Sequence, residues 1–180
     1  MKRSIVYGGS TALLVTATIG FTVFRLRQPP CFAPVPAMAL IKEFPRGEAA
    51  MLLHPDRFEL LSLYPKEQGC FQANASCFHG FSVLGRADIK DVGQRQQLVG
   101  ALYGTIMDRE GALGSAACFS ARHGLHLTKQ GKTLDVLICF QCGQTHTSGP
   151  AGARLLPASE TGRKTFEAAV RSTQLPVPPF

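Results

Sequence analysis

Nowhere in this 180-residue sequence do lysine and arginine gather into a patch, and that absence removes the function its charge first suggests. Nineteen basic and 12 acidic residues give a formal charge of +7, a balance that invites a nucleic-acid reading. Lys2, Arg3, Arg25 and Arg27 flank one N-terminal stretch. Setting these four aside leaves 15 basic and 12 acidic residues over 28–180, a net of +3. No segment there interleaves cations with aromatic rings. Binding to a polyanion draws its strength from several phosphates neutralised together, so no nucleic-acid partner is expected and the charge reads as a mildly basic, solvated surface. Other absences narrow the field. There are no paired carboxylates to share acid–base work, no glycine loop to cradle phosphate, and no serine, histidine and aspartate in a hydrolase order. A second C-x-x-C is missing, as is any internal repeat. No cofactor is implied.

What the chain does have is a run of 21 uncharged residues, Ser4 to Phe24, behind Met1-Lys2-Arg3 and ahead of Arg25 and Arg27. About 20 such residues span a bilayer as a helix. Gly8, Gly9, Ser10, Thr11, Thr16, Thr18, Gly20 and Thr22 make its insertion energy modest. The nearest small-x-small cleavage site, Ala37-Met38-Ala39, ends 15 residues past Phe24, far for a signal peptidase. Cys31 follows Gln28-Pro29-Pro30, a poor match to a lipoprotein signal. An uncleaved anchor is favoured over a cleaved signal. The three positive charges at the amino terminus, Lys2 and Arg3, against two at Arg25 and Arg27, favour a cytoplasmic N-terminus. The expectation is a membrane contact through residues 4–24 and a domain on the extracytoplasmic, periplasmic side.

The chain divides into a membrane anchor or signal segment (1–27), a Pro-rich spacer (28–45), one domain (46–175) and a Pro-rich tail (176–180). Pro29, Pro30, Pro34 and Pro36 fix φ and remove donors, which suits an extended spacer. Within the domain, Glu48–Leu53 predicts a short helix ended by His54-Pro55. Phe58–Tyr64 predicts a strand stopped by Pro65, Glu67–Cys77 a loop, and Phe78–Ile89 a second strand. Asp91 caps a helix to about Arg109, with Val92, Arg95, Val99, Leu102 and Ile106 on its inner stripe. Ala116–Thr128 and Lys132–Cys142 form a hairpin around Gln130-Gly131, and Thr145–Leu156 adds another strand. A helix from Ser159 to Thr173 closes the domain. The order α-β-β-α-β-β-β-α predicts an α+β fold, a mainly antiparallel sheet with helices packed on one face.

The hairpin holds the residues most able to do chemistry. If Gln130-Gly131 is the turn, Lys129 pairs with Lys132, His126 faces Asp135, Arg122 faces Cys139 and Ser120 faces Gln141, all on one sheet face. Phe119, His123, Leu125 and Leu127 then share the core face with Leu134, Val136, Ile138, Phe140 and Cys142. Cys139 and His126 lie roughly 13 Å apart in this register, too far for a cysteine–histidine nucleophile pair. Arg122 beside Cys139 would lower the thiol pKa, whereas a bulge near Ala121–Gly124 would bring His123 opposite Cys139 instead. The candidates for a cysteine-centred enzyme or redox protein are therefore Cys139, Arg122 and His123. The competing reading makes Cys139 a half-buried apolar residue and Arg122 a surface cation.

Cys139-Phe-Gln-Cys142-Gly143 also matches half of a zinc knuckle. A metal site would need Cys118, Cys139, Cys142 and His146 to converge, and on a continuing strand residues i and i+3 point to opposite faces. A thioredoxin-type reading is weaker still, because that chemistry places its first cysteine at a helix N-terminus. Six cysteines in an oxidising compartment predict bridges, and Cys70 with Cys77, across a short polar loop, is the best candidate pair. Asn74-Ala75-Ser76 is a glycosylation sequon, meaningful only in a eukaryotic secretory pathway.

The stretches HPDRFELLSLYP (54–65), FHGFSVLG (78–85), ACFSARHGL (117–125), DVLICFQC (135–142) and FEAAVRSTQLPV (166–177) resemble a family of bacterial exported and lipoprotein-like proteins. The resemblance spans about 48–177 and implies bacterial export and a shared domain, with no activity attached. That family typically carries Pro where Ala121 stands and Glu where Gln141 stands, so this chain lacks a carboxylate beside Cys139 and Cys142. On these grounds the chain reads as a tethered or exported envelope domain that binds a protein or small molecule without catalysis. The cysteine-centred redox protein and the zinc module stand as alternatives.

Overall fold

The computed structural model describes residues 34–65, 70, 76–108 and 119–179. The expected membrane segment, Cys31, Asn74 and Cys118 lie outside these residues; among the described ones no helix is long and apolar enough to cross a membrane. The fold is α+β. Helices α1 (Ala37–Glu43) and α2 (Arg46–Leu53) precede β1 (Arg57–Leu63), β2 (Cys77–Phe78) and β3 (Phe81–Asp88). Then come α3 (Val92–Met107), β4 (His123–Lys129), β5 (Lys132–Cys139), β6 (Gln144–Gly149), β7 (Gly152–Pro157) and α4 (Arg163–Ser172).

The seven strands form one antiparallel sheet in the order β2-β3-β1-β4-β5-β6-β7. β1 sits centrally and is buried on both sides, which explains its unbroken apolar run. Phe58 and Leu60 join Leu125, Leu127, Leu134, Val136 and Ile138 beneath the helices, which add Leu40, Phe44, Leu52, Leu98, Leu102 and Phe166 to the same core. Leu61 and Leu63 face the other way, into a second cluster with Phe78, Phe81, Ala121 and Leu137.

The β4–β5 hairpin turns at Gln130 and Gly131, both at positive φ (51° and 74°), as a tight two-residue turn requires. Its pairing runs from Lys129↔Lys132 to His123↔Ile138, with His126 opposite Asp135. Past His123 the ladder ends, and no bulge places that residue opposite Cys139. Asp91 caps α3 by accepting from Gln94 N at 2.7 Å, although Val92 is 61% exposed rather than part of the inner stripe.

Several expectations need correction. Phe78–Ile89 is not one strand: His79 (φ 48°) and Gly80 (φ 89°) form a second two-residue turn, between β2 and β3. The stretch 145–156 is a hairpin, β6–β7, closed by Pro150 and Ala151 between the paired Gly149 and Gly152. α1 was not foreseen; it begins after Pro36 inside the expected spacer. Phe119 does not face the helix-side core but packs with Phe81 (5.9 Å between rings) on the opposite face.

The C-terminal residues form more than a tail. After α4 the chain turns at Gln174 (φ 58°), and Leu175 N donates to Val170 O at 3.0 Å. The segment then runs back over the sheet. A Cβ on Gly85 would lie 2.9 Å from Leu175 Cδ2 and 3.0 Å from Pro176 Cδ, so glycine is what lets the strap lie against β3.

Candidate functional site

Gly85 pairs with Ser62, and Ser62 pairs with His123, which pairs with Ile138. This row crosses β3, β1, β4 and β5 near one end of the sheet, where β5 stops at Cys139. Beyond it residues 140–143 turn, with Gly143 at φ 67° and its N–H donating to Phe140 O at 3.2 Å. The turn brings Cys142 back against Cys139, and the two are joined as a disulfide with Cα atoms 5.2 Å apart. On a straight strand the two side chains would diverge; ending the strand at Cys139 is what makes the bridge possible.

Each sulfur also meets a backbone N–H. Cys142 N donates to Cys139 Sγ at 3.1 Å, and Ser120 N donates to Cys142 Sγ at 3.3 Å. Cys139 is 1% exposed and Cys142 4%, which corrects the expectation that Cys139 is half-buried. A buried turn fills both sides of the position.

Cys139, Arg122 and His123, the three catalytic candidates from the sequence, line one cavity of about 20 Å³, the size of a single water site. His123 reaches it although it sits opposite Ile138, because the strand ends one residue later. Its ring packs edge-on against Phe140 (5.6 Å) and Phe166 (5.8 Å). Both ring nitrogens are buried without a hydrogen-bond partner. Burial first, with Arg122 and Arg163 adding and Glu167 opposing, pushes its pKa down to about 4, so the imidazole is neutral at neutral pH and able to accept a hydrogen bond.

Arg122 is not an unattached surface cation. Its Nη1 donates to Gln141 Oε1 at 2.6 Å and its Nε to Pro179 O at 2.9 Å. Burial, and after it the charge of Arg163, lowers its pKa. Arg163 in turn donates to Glu167 Oε1 at 2.7 Å and to Glu160 Oε2 at 3.0 Å. These hydrogen bonds raise its pKa. Sequence reasoning missed Arg163, Glu167, Val177 and Pro178, which complete the cavity wall. They come from α4 and the strap, and no local pattern connects those segments to the β4–β5 hairpin.

The zinc candidates are not assembled. Cys139 and Cys142 are bonded to each other, Cys118 lies outside the described residues, and His146 lines a different cleft. Among the described residues no three potential ligands converge. The second bridge joins Cys70 to Cys77, Cα atoms 5.5 Å apart.

The cleft at His146 lies on the opposite sheet face and measures about 540 Å³. His146 stacks on Phe119 at 3.9 Å, and burial lowers its pKa. Nearby, Asp135 is shared by two imidazoles: His126 Nδ1 lies 2.6 Å from Oδ1, and His79 Nε2 lies 2.7 Å from Oδ2. This bridge fastens the β2–β3 turn to β5. Comparison with protein-family models, with curated proteins and with solved structures found no match.

Proposed function

We propose that this chain is a membrane-tethered, extracytoplasmic domain that exchanges thiols and disulfides through Cys139 and Cys142. The observation that carries the reading is the bridge itself, closed at C-x-x-C spacing beside a buried imidazole with no partner in the same cavity. A purely structural bridge has no need of an unsatisfied histidine, whose burial costs about 1–3 kcal/mol. The placement outside the cytoplasm rests on the 21-residue apolar run and on the family resemblance, and an oxidising compartment keeps such a bridge closed.

The chemistry follows from the geometry. Cys139 lines the cavity and Cys142 does not, so the proposed target of an incoming thiol is Cys139 Sγ. His123, neutral, accepts a hydrogen bond that orients the entering thiol, which gives up its proton to solvent. The thiolate attacks Cys139 Sγ, the S–S bond breaks, and Cys142 leaves as a thiolate facing the Ser120 N–H. A proton from solvent then neutralises it. A second substrate thiol resolves the mixed disulfide, so a dithiol and the bridge become a disulfide and two domain thiols.

The test is equilibration of the folded protein in dithiothreitol buffers, followed by alkylation and peptide mass analysis. Cys139 and Cys142 should become alkylated while the circular dichroism remains native, and Cys139→Ser should abolish oxidation of an added dithiol. If the pair stays closed until the domain unfolds, the bridge is a staple and the reading fails.

A second reading, a binding domain without catalysis, is favoured by the open cleft at Phe119 and His146. It requires that partner capture survive the double change Cys139→Ala, Cys142→Ala.

A further inference from the structure

We infer that the groove now filled by residues 175–179 is the seat of an extended, cysteine-bearing polypeptide, and that this segment is a built-in occupant which substrate must displace. The inference rests on the thiol–disulfide reading above and names the substrate class for that site.

Two clamps hold the segment, and both grip main chain. Ser62 Oγ donates to the Pro176 carbonyl and Arg122 Nε to the Pro179 carbonyl. Carbonyls three residues apart on an extended chain are separated by roughly 9–10 Å, and recognition through them does not depend on side-chain identity. Between the clamps, Val177 and Pro178 lie over the cavity shared by Cys139 and His123. A cysteine in their place would face the cavity that Cys139 lines. The floor is shaped for a chain: Gly85 has no side chain, and Ser62 offers only a hydroxyl.

The occupant is suited to leaving. Prolines at 176, 178 and 179 have no N–H, so they add no ladder bonds to the sheet, and they hold the extended form in advance. Val177 is 51% exposed. With the segment seated, the cavity holds no more than a water, so even a small thiol reaches the bridge only after the segment moves.

The experiment compares the full chain with the same chain shortened after Leu175, which keeps the Leu175 contact at Gly85 and removes that of Pro176. The probes are glutathione, a Leu-Pro-Cys-Pro-Pro peptide, and a fluorescent Leu-Pro-Val-Pro-Pro peptide read by anisotropy. Shortening should speed reduction by the cysteine peptide about tenfold or more, since a site closed most of the time loses apparent affinity in proportion. The fluorescent peptide should bind the shortened chain only, and should slow its reduction. Ser62→Ala in the full chain, which loses one clamp and keeps the segment, should speed reduction by glutathione, which does not use that clamp. Equal rates in all three proteins, or no binding of the fluorescent peptide to the shortened chain, would overturn the inference while leaving the exchange reading intact. Peptide binding with a bridge that stays closed in dithiothreitol would keep the groove and remove the exchange chemistry. A shortened chain that glutathione and the cysteine peptide reduce equally fast would overturn the polypeptide assignment.

Discussion

His123 is held by two phenylalanine rings and by nothing polar, and the consequence is a dependence of stability on acid. Its folded pKa, about 4, lies below the ordinary 6.5. Between those values the unfolded chain binds a proton that the folded chain refuses, so stability is complete above about pH 6.5 and falls as the pH drops toward 4. The whole effect is about 3 kcal/mol. Urea midpoints measured from pH 7 down to 4 should fall, and His123→Phe should flatten that fall relative to the wild type while raising stability at pH 4. The same variant should exchange thiols more slowly. A gain in stability with an unchanged exchange rate would leave the imidazole a packing group. Cys139 teaches a related lesson at this scale. Neither its bridge to Cys142 nor its burial was visible from spacing, because alternation assumes a strand that continues past it.

Among the elements, the hairpin β4–β5 was the most legible. Its turn residues and its alternation agree, so counting outward from Gln130-Gly131 places His126 opposite Asp135, as the ladder does. The β2–β3 turn carried a comparable signal in His79-Gly80, hidden by apolar residues on both sides. The β6–β7 hairpin had a weaker one, since Pro150-Ala151 is not a residue pair that favours positive φ. It is closed instead from outside. Glu48 on α2 accepts from Ala151 N at 3.2 Å and forms an ion pair with Arg154 on β7, while 1% of its side chain is exposed. No pattern within residues 145–156 announces a partner on a helix a hundred residues earlier. Arg154→Ala should therefore cost about 3 kcal/mol in a denaturation experiment, because it strands a buried carboxylate. Loss of less than about 1 kcal/mol, the range of a surface pair, would mean that water takes the place of the guanidinium.

For the whole molecule, composition and element order carried the α+β class, because the apolar segments, their lengths and their breaks are local properties. The strap, the cavity wall from α4 and the two-sided burial of β1 depend on which surfaces meet, and a single sequence does not print that. Placement in the cell is a property of the full chain too. Full-length protein should sediment with membranes and resist carbonate extraction, whereas a chain beginning at residue 28 should not; full-length protein that stays in the supernatant would remove the anchor and with it the oxidising setting.

Among the described residues, both bridges join cysteines that are close along the chain, seven residues apart in one and three in the other. Such pairs meet by local diffusion before any sheet exists. Six cysteines allow 15 complete pairings, yet each of these two can close in turn as its stretch emerges, without a shuffling enzyme to sort them. Oxidation of these two pairs can thus run alongside synthesis rather than wait for folding.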